Sequence, residues 1–316
     1  MAELVAEQGT DLVRTRILAV DGDRFDWYRR PGPAAPRGHA ALGGAVRDSI
    51  RSLPQGPVVA ALPEPAGTGS CYSASGPLSA AALLLRGNPY APMILEQVLG
   101  ALGGFLYRLH GLPVPDEELP GASGPQRLGS WLQAGEGCGA AARLYDVCRR
   151  RWGQRRLRTL QEWLRAPVPQ GQERLLHGAV SLGTTVPPAR DGRAVLLTGE
   201  DLCTGVPEQD LGWLLGELRE LAMVSSRGMG GAAVLDYTPL ESALLAGYGA
   251  DPSPELLGRF VLLRVATHMH DYAAYVGWHD DLFGYADLFV ELFDTGPEAV
   301  GVPAGGTEGL SRPGPG

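Results

Sequence analysis

The chain has 316 residues, 27 basic against 35 acidic, for a formal net charge of −8; this balance argues against a nucleic-acid or anionic-membrane surface. All 27 basic residues are arginine, so mechanisms that need a lysine are excluded, including Schiff bases and the phosphate-gripping lysine of P-loops and ordinary kinases. At 44% hydrophobic and 20% charged the chain can bury a real core, and no apolar run reaches the ~20 residues a bilayer span needs.

The first ten residues, MAELVAEQGT, have neither the basic start nor the apolar core of a signal peptide, which points to a cytoplasmic chain. Cys71, Cys138, Cys148 and Cys203 show no close pairing and read as free thiols. Residues 1–56 mix short apolar runs with Pro/Gly-rich stretches. Residues 57–62, PVVAAL, read as a short buried strand bounded by prolines. Residues 78–85 are a second apolar run, strand or helix, and the turn-rich stretch 86–92 marks a boundary near residue 90. Beyond it Ile94, Val98, Leu102, Leu106 and Leu109 recur on one helical face. Residues 112–126 read as loop, and 128–164 as helix with a break near 135–139. Residues 175–204 read as short strands and turns, with a hairpin signalled by Asp191-Gly192. Further helices are expected over 211–223, 240–247, 255–276 and 282–293. The organisation is a small mixed part, 1–90, a mostly helical part, 91–295, and a disordered Gly/Pro-rich tail, 296–316.

The most informative stretch is 175–221. His177-Gly178 forms a tight loop, a hairpin follows, and an acidic loop carrying Glu200 and Asp201 leads to Asp210, placed as the N-cap of the next helix. This order resembles the aminoglycoside phosphotransferase branch of the protein-kinase-like fold, whose His-Gly-Asp loop, hairpin, Asp-x-Glu-Asp segment and helix-opening Asp-Leu fall at the same spacing. Glu200, Asp201, Gly205, Pro207 and Asp210-Leu211 match the later segment, and Leu106–Pro113 resembles the helix end that leads into that fold's C-terminal lobe. The resemblance spans roughly 90–295. It implies a two-lobed α+β fold with a reduced N-lobe and a mostly helical C-lobe. It also makes His177, Glu200, Asp201 and Asp210 the candidate catalytic residues, with Glu200 and Asp201 as candidate metal ligands.

The departures are chemical. In that fold an aspartate after His-Gly orients the substrate hydroxyl, and an Asn and a second Asp hold magnesium. Ala179, Thr184 and Thr198 stand at these positions, and the N-lobe lysine is absent. Neither alanine nor threonine brings a carboxylate to a hard cation. An arginine gripping phosphate, with Glu200 or Asp201 as a shifted ligand, would be a non-standard substitute.

The phrases HGAVSLGTTVP, VLLTGEDLCTG and DLGWLLGELREL, with RVATHMHDYAAYVGW further on, are similar to the kinase-like proteins of class V lanthipeptide and thioamitide biosynthesis. That resemblance implies a subunit working with a lyase on a ribosomal precursor peptide: Ser/Thr hydroxyls are phosphorylated and the phosphate is eliminated. ATP and Mg²⁺ would serve as cofactors if phosphotransfer is retained. The alternative is a pseudokinase scaffold that binds the precursor, the lyase or both. Arg149, Arg150, Arg151, Arg155, Arg156 and Arg158 concentrate positive charge on one helix, a dock for an acidic peptide or partner or else a solvated face. His268 and His270, two apart on a helix, point about 200° from each other and do not share a ligand site.

Overall fold

The computed structural model describes residues 2–36, 38, 41–190, 192–226 and 235–302. The N-terminal third builds a sheet where composition marked only short apolar runs. Strands β1 (Glu3–Gly9), β2 (Val13–Asp21) and β3 (Arg24–Pro31) form an antiparallel meander. Alternation explains the outcome: Ile17 and Trp27 are cross-strand partners and turn to the core, while their neighbours face out. Helix α1 (Gly44–Arg51) buries Val46 and Ile50. Strand β4 (Val58–Ala61) follows, then β5 (Glu64–Ala66) and β6 (Gly69–Ala74), which complete a five-stranded sheet in the order β1-β2-β3-β6-β5.

The apolar run near residue 80 resolves as a helix, α2 (Ala80–Leu85), because Ser79 caps it by accepting the Ala82 N–H at 3.2 Å. Helix α3 (Ala91–His110) buries a face wider than the periodicity marked, adding Leu95, Leu99 and Phe105. Helix α4 (Ser123–Ala134) begins inside the stretch expected as loop and ends at Gly135, and α5 (Ala141–Arg165) follows. Strands β7 (Arg174–Leu176), β8 (Thr185–Val186), β9 (Ala194–Leu197) and β10 (Cys203–Gly205) are short. The β8–β9 pairing is antiparallel, as the Asp-Gly signal implied, although Asp191 itself lies outside the described residues. Helices α6 (Glu208–Ser226), α7 (Thr238–Tyr248), α8 (Pro254–Tyr275) and α9 (Asp281–Thr295) close the helical lobe.

Two features tie the lobes together. Strand β4 leaves the N-terminal sheet and pairs in parallel with β9, Val58 opposite Ala194 through Ala61 opposite Leu197. Ile17, Trp27 and Tyr72 also share a core with Val186, Val195 and Leu197. Each such fully buried large side chain contributes about 1.5–3 kcal/mol, so the sheet is packed onto the helical lobe as one body. The expected tail boundary moves toward the C-terminus. Residues Pro297–Val300 form a further helix, α10, and Val300, 2% exposed, packs with Leu257 and Val261 of α8. Residues 303–316 lie outside the described residues.

Candidate functional site

The loop after β7 is fixed from below. Gly178 takes φ +83°, and a Cβ there would meet the Asp201 carbonyl oxygen at 1.9 Å, so only glycine fits. Asp210 is not the N-cap expected from the sequence. Helix α6 starts two residues earlier, at Glu208, and the side chain turns inward, fully buried. Its two oxygens accept the backbone N–H groups of His177 at 2.7 Å and Gly178 at 2.8 Å, and His110 donates Nε2–H at 3.1 Å. Burial alone would raise this carboxyl. The hydrogen bond and charge of His110, with the Gly178 N–H, outweigh that and hold it below the usual carboxylate range. His177 is buried too; its Nε2 donates to the Leu197 carbonyl at 3.0 Å. Asp210 and His177 therefore brace the loop, and Asp210 does not line the cleft.

Above this loop the lobes enclose a cavity of about 300 Å³. Ala179 and Thr184 both line it. The Thr184 hydroxyl is tied to Ser181, by contacts of 3.1 Å to that residue's hydroxyl and carbonyl. Thr198 is fully buried and donates to the Leu196 carbonyl at 3.0 Å.

Glu200 and Asp201 are neighbours in sequence, but their carboxylates serve different partners. Gly199, at φ +132°, turns the chain after β9. Glu200 then receives a bidentate pair from Arg29, Nε at 2.9 Å and Nη2 at 3.0 Å, and the Tyr72 hydroxyl at 2.9 Å. Asp201 accepts the Ser123 N–H at 2.8 Å, in the first turn of α4. Burial opposes the Arg29 cation, but Glu200 outweighs it and holds the guanidinium firmly charged. Of the donors in and beneath the cleft, both threonine hydroxyls are tied to the chain, Glu200 is covered by a guanidinium, and Asp201 gives one oxygen to the Ser123 N–H. Among the described residues no three His, Cys, Asp or Glu side chains are grouped to hold a metal ion.

The far wall of the cleft comes from α4 and α8. Arg127 and Asp271 form a bidentate pair at 3.0 and 2.5 Å. Arg264 reaches Glu220 at 3.2 Å. His268 lines the same cavity, and its desolvation there together with the Arg264 charge pushes its imidazole below the ordinary value. His270 points away, buried against Trp131, with Nδ1 at 2.9 Å from Asp271. The expectation that the two histidines do not share a site agrees with this geometry.

Sequence reasoning did not find Arg29, Tyr72, Arg127 or Arg264. The one local signal was strand alternation: Trp27 and Arg29 are two apart, so one face of β3 carries both a core anchor and the cleft cation. The rest depend on contacts between residues far apart in the chain. The arginine-rich helix α5 lies on another face. Arg151 pairs with Asp287 and Arg156 with Asp294, tying α5 to α9. Arg149, Arg150, Arg155 and Arg158 stay exposed.

A small sheet lobe, a helical lobe and an interlobe cleft over a braced His-Gly loop define the kinase-like fold of aminoglycoside phosphotransferases and choline kinases. Solved structures carry the same architecture. A spectinomycin phosphotransferase, seen in complex with ADP and spectinomycin, superposes with TM-score 0.51 at 12% identity, covering 95% of this chain and 92% of that one. An amicoumacin kinase in complex with AMP-PNP and Ca²⁺ gives 0.53 at 14%, covering 93% and 88%. A choline/ethanolamine kinase family protein from Mesorhizobium loti gives 0.50 at 16%, covering 94% and 90%. No family model and no curated protein matches the sequence. Among the described residues no helix is long and apolar enough to cross a membrane.

Proposed function

We propose that this chain is the kinase-fold subunit of a peptide Ser/Thr dehydratase assembly, and that it binds the precursor peptide for a partner lyase without itself transferring phosphate. The pathway part rests on the resemblance of 177–187, 195–205 and 210–221 to the kinase-like proteins of lanthipeptide and thioamitide biosynthesis. The observation that carries the absence of phosphotransfer is the cleft. It has a kinase's shape, with Ala179, Thr184 and Thr198 at the polar anchor positions and with Glu200 engaged by Arg29. General-base and metal assistance need groups within hydrogen-bond or ligation reach of the reacting atoms, and these side chains supply neither. The exposed quartet Arg149, Arg150, Arg155 and Arg158 is the dock for the acidic part of the peptide, since guanidinium binds carboxylate bidentately.

A second reading, phosphoryl transfer from ATP to the peptide, is favoured by one feature. Arg29 lies on the third strand of the sheet, where kinases carry their phosphate-binding lysine. One reconstitution separates the two. The protein, its partner lyase and the precursor peptide are incubated with Mg-ATP, and the peptide is read by mass spectrometry. The scaffold reading expects no phosphopeptide from this chain and peptide alone, and dehydration by the assembly that fails without this chain but survives Asp201→Ala. Phosphopeptide that forms with this chain alone and is lost in Glu200→Ala or Asp201→Ala overturns it.

A further inference from the structure

The sheet face turned away from the helical lobe is built of rows of cross-strand partners. One row runs Glu7, Arg16, Tyr28, Cys71 and Glu64 across β1, β2, β3, β6 and β5. Its charges are matched: Arg16 lies 3.7 Å from Glu7, and Glu64 takes Arg47 at 2.8 Å. The next row on one side, Leu4, Leu18 and Asp26, is matched too, with Arg24 at 3.9 Å from Asp26. The row on the other side holds Gly9, Arg14 and Arg30. There Arg14 and Arg30 stand directly opposite each other, both exposed, and among the described residues neither guanidinium has a hydrogen bond or ion pair. Like charges directly opposite on a sheet are destabilising. Glycines flank the pair. A Cβ at Gly9 would sit 2.9 Å from Arg14 Cγ, and one at Gly69 would sit 2.8 Å from Arg30 Cα, so no flanking side chain brings a counter-ion. A local rule broken without a compensating contact is expected at functional positions.

We propose that Arg14 and Arg30 form a docking site for an acidic polypeptide segment, one carboxylate of which bridges the two guanidiniums. Directly opposed residues on antiparallel strands have Cα atoms about 4.5–5.5 Å apart, close enough for one carboxylate to accept from both forks. Tyr28, 36% exposed in the adjoining row, offers an apolar contact beside the charge. A chain of net charge −8 repels the extended negative charge of a nucleic acid or an anionic membrane, whereas a short acidic segment meets this patch alone. The site also has a direction. Val13 and Pro31, next in sequence to the two arginines and partners in the same register, line the interlobe cleft. A segment held by Arg14 and Arg30 therefore lies at the cleft's roof, on the lobe that does not carry α5. The site does not depend on the assembly role proposed above.

Fluorescence anisotropy of a dye-labelled hexaglutamate peptide, at low and at high salt, tests this on the wild type, Arg14→Gln, Arg30→Gln, the double variant and Arg16→Gln. All three arginines are exposed, and circular dichroism melts confirm that each variant folds. The wild type is expected to bind, and more weakly as salt rises. R14Q and R30Q should each lose about two- to five-fold in affinity, the range of exposed charge pairs. The double variant should lose little more than either, because one carboxylate spans both. R16Q, whose arginine already faces Glu7, should bind as the wild type does. R14Q and R30Q should also melt roughly 1–3 °C higher, since each removes the repulsion. The same losses are expected in a background combining Arg149→Gln, Arg150→Gln, Arg155→Gln and Arg158→Gln, which separates this site from α5. A wild type that does not bind, or a double variant that binds as tightly as the wild type, overturns the proposal. So does an R16Q that loses as much as R14Q, or single variants that melt below the wild type. Failure of the precursor peptide to bind removes the assembly role and leaves the hexaglutamate result standing.

Discussion

Replacing Asp210 by asparagine tests whether the His-Gly loop is held as the structure describes. The carboxylate is fully buried and receives three N–H donors, from His177, Gly178 and His110, at 2.7, 2.8 and 3.1 Å. Asparagine keeps one acceptor oxygen but turns an NH₂ toward the remaining donors. A hydrogen bond to a charged group is worth about 1.5–3 kcal/mol, and breaking a buried charged cluster from one side costs about 3–5 kcal/mol. Adopting that total, and about 2–4 °C per kcal/mol for a chain of this class, the melting temperature falls by roughly 6–20 °C. The pH dependence has a definite sign. Asp210 is held below the ordinary carboxylate range, so its stabilisation is complete above the unfolded value of about 3.9 and is lost as pH falls through the lower folded value. The gap between wild type and D210N is therefore constant from neutral pH down to about pH 5 and narrows in stronger acid. Thermal melts followed by circular dichroism across this range measure it. Hydrogen exchange at the His177 and Gly178 amides reports the loop directly, and both should lose protection. A variant melting within about 2 °C of the wild type at neutral pH, or a gap that persists unchanged in acid, would refute the brace.

Gly178→Ala places a Cβ 1.9 Å from the Asp201 carbonyl at a positive φ; strain and collision together should cost about 3 kcal/mol or more, seen as a lowered melting temperature. Glu220→Gln tests the buried pair beneath the cleft. Burial pushes the Glu220 carboxyl up, Arg264 opposes this and Glu217 adds to it, leaving it at about 8. A folded-state value above the unfolded one means stability is lost as pH rises toward and through that value. E220Q should therefore gain on the wild type from about pH 5 to about pH 8 in thermal melts, and a pH-independent difference would count against it. Reversing the charge of the exposed quartet, with Arg149→Glu, Arg150→Glu, Arg155→Glu and Arg158→Glu combined, should shift stability by under about 1 kcal/mol, as solvated positions do. The same change should weaken precursor-peptide binding in a salt-dependent way; unchanged affinity by fluorescence anisotropy would remove α5 as the dock.

The helical lobe was legible because its elements are long and periodic. Leu95 to Leu109 on α3 and Val261 to Ala273 on α8 repeat often enough for one period to dominate. The N-terminal sheet was not, since β1 is exposed along nearly its whole length and so carries no alternation of burial. Asp210 was read as a cap because its local sequence suits one; what places it inside the first turn is the pair of loop amides 32 and 33 residues upstream that it satisfies. The departures at Ala179, Thr184 and Thr198 are what the resemblance to the kinase-like pattern implies. The fate of Glu200 was not legible, because its partner Arg29 lies 171 residues away, and a lone acidic residue in a loop gives no sign of which cation it meets.

The distribution of polar groups around the cleft separates shape from chemistry. The groups that hold the His-Gly loop are all present and satisfied: Asp210, His110 and the Leu197 carbonyl. A buried ionised cluster is often no more stable than an apolar replacement of the same volume, so Asp210 is better explained by the loop geometry it imposes than by stability. Around the cleft itself Ala179 brings no polar side chain, the Thr184 hydroxyl is tied to Ser181, and Arg29 is closed onto Glu200. The absence of lysine fits the same division. Arginine carries the same charge, but its planar fork matches a carboxylate as well as a phosphate, and Arg29 holds Glu200 in that way. A point-charge ammonium on that strand would stay more open to an incoming phosphate. The fork paired with Glu200 makes Arg29 part of the cleft wall.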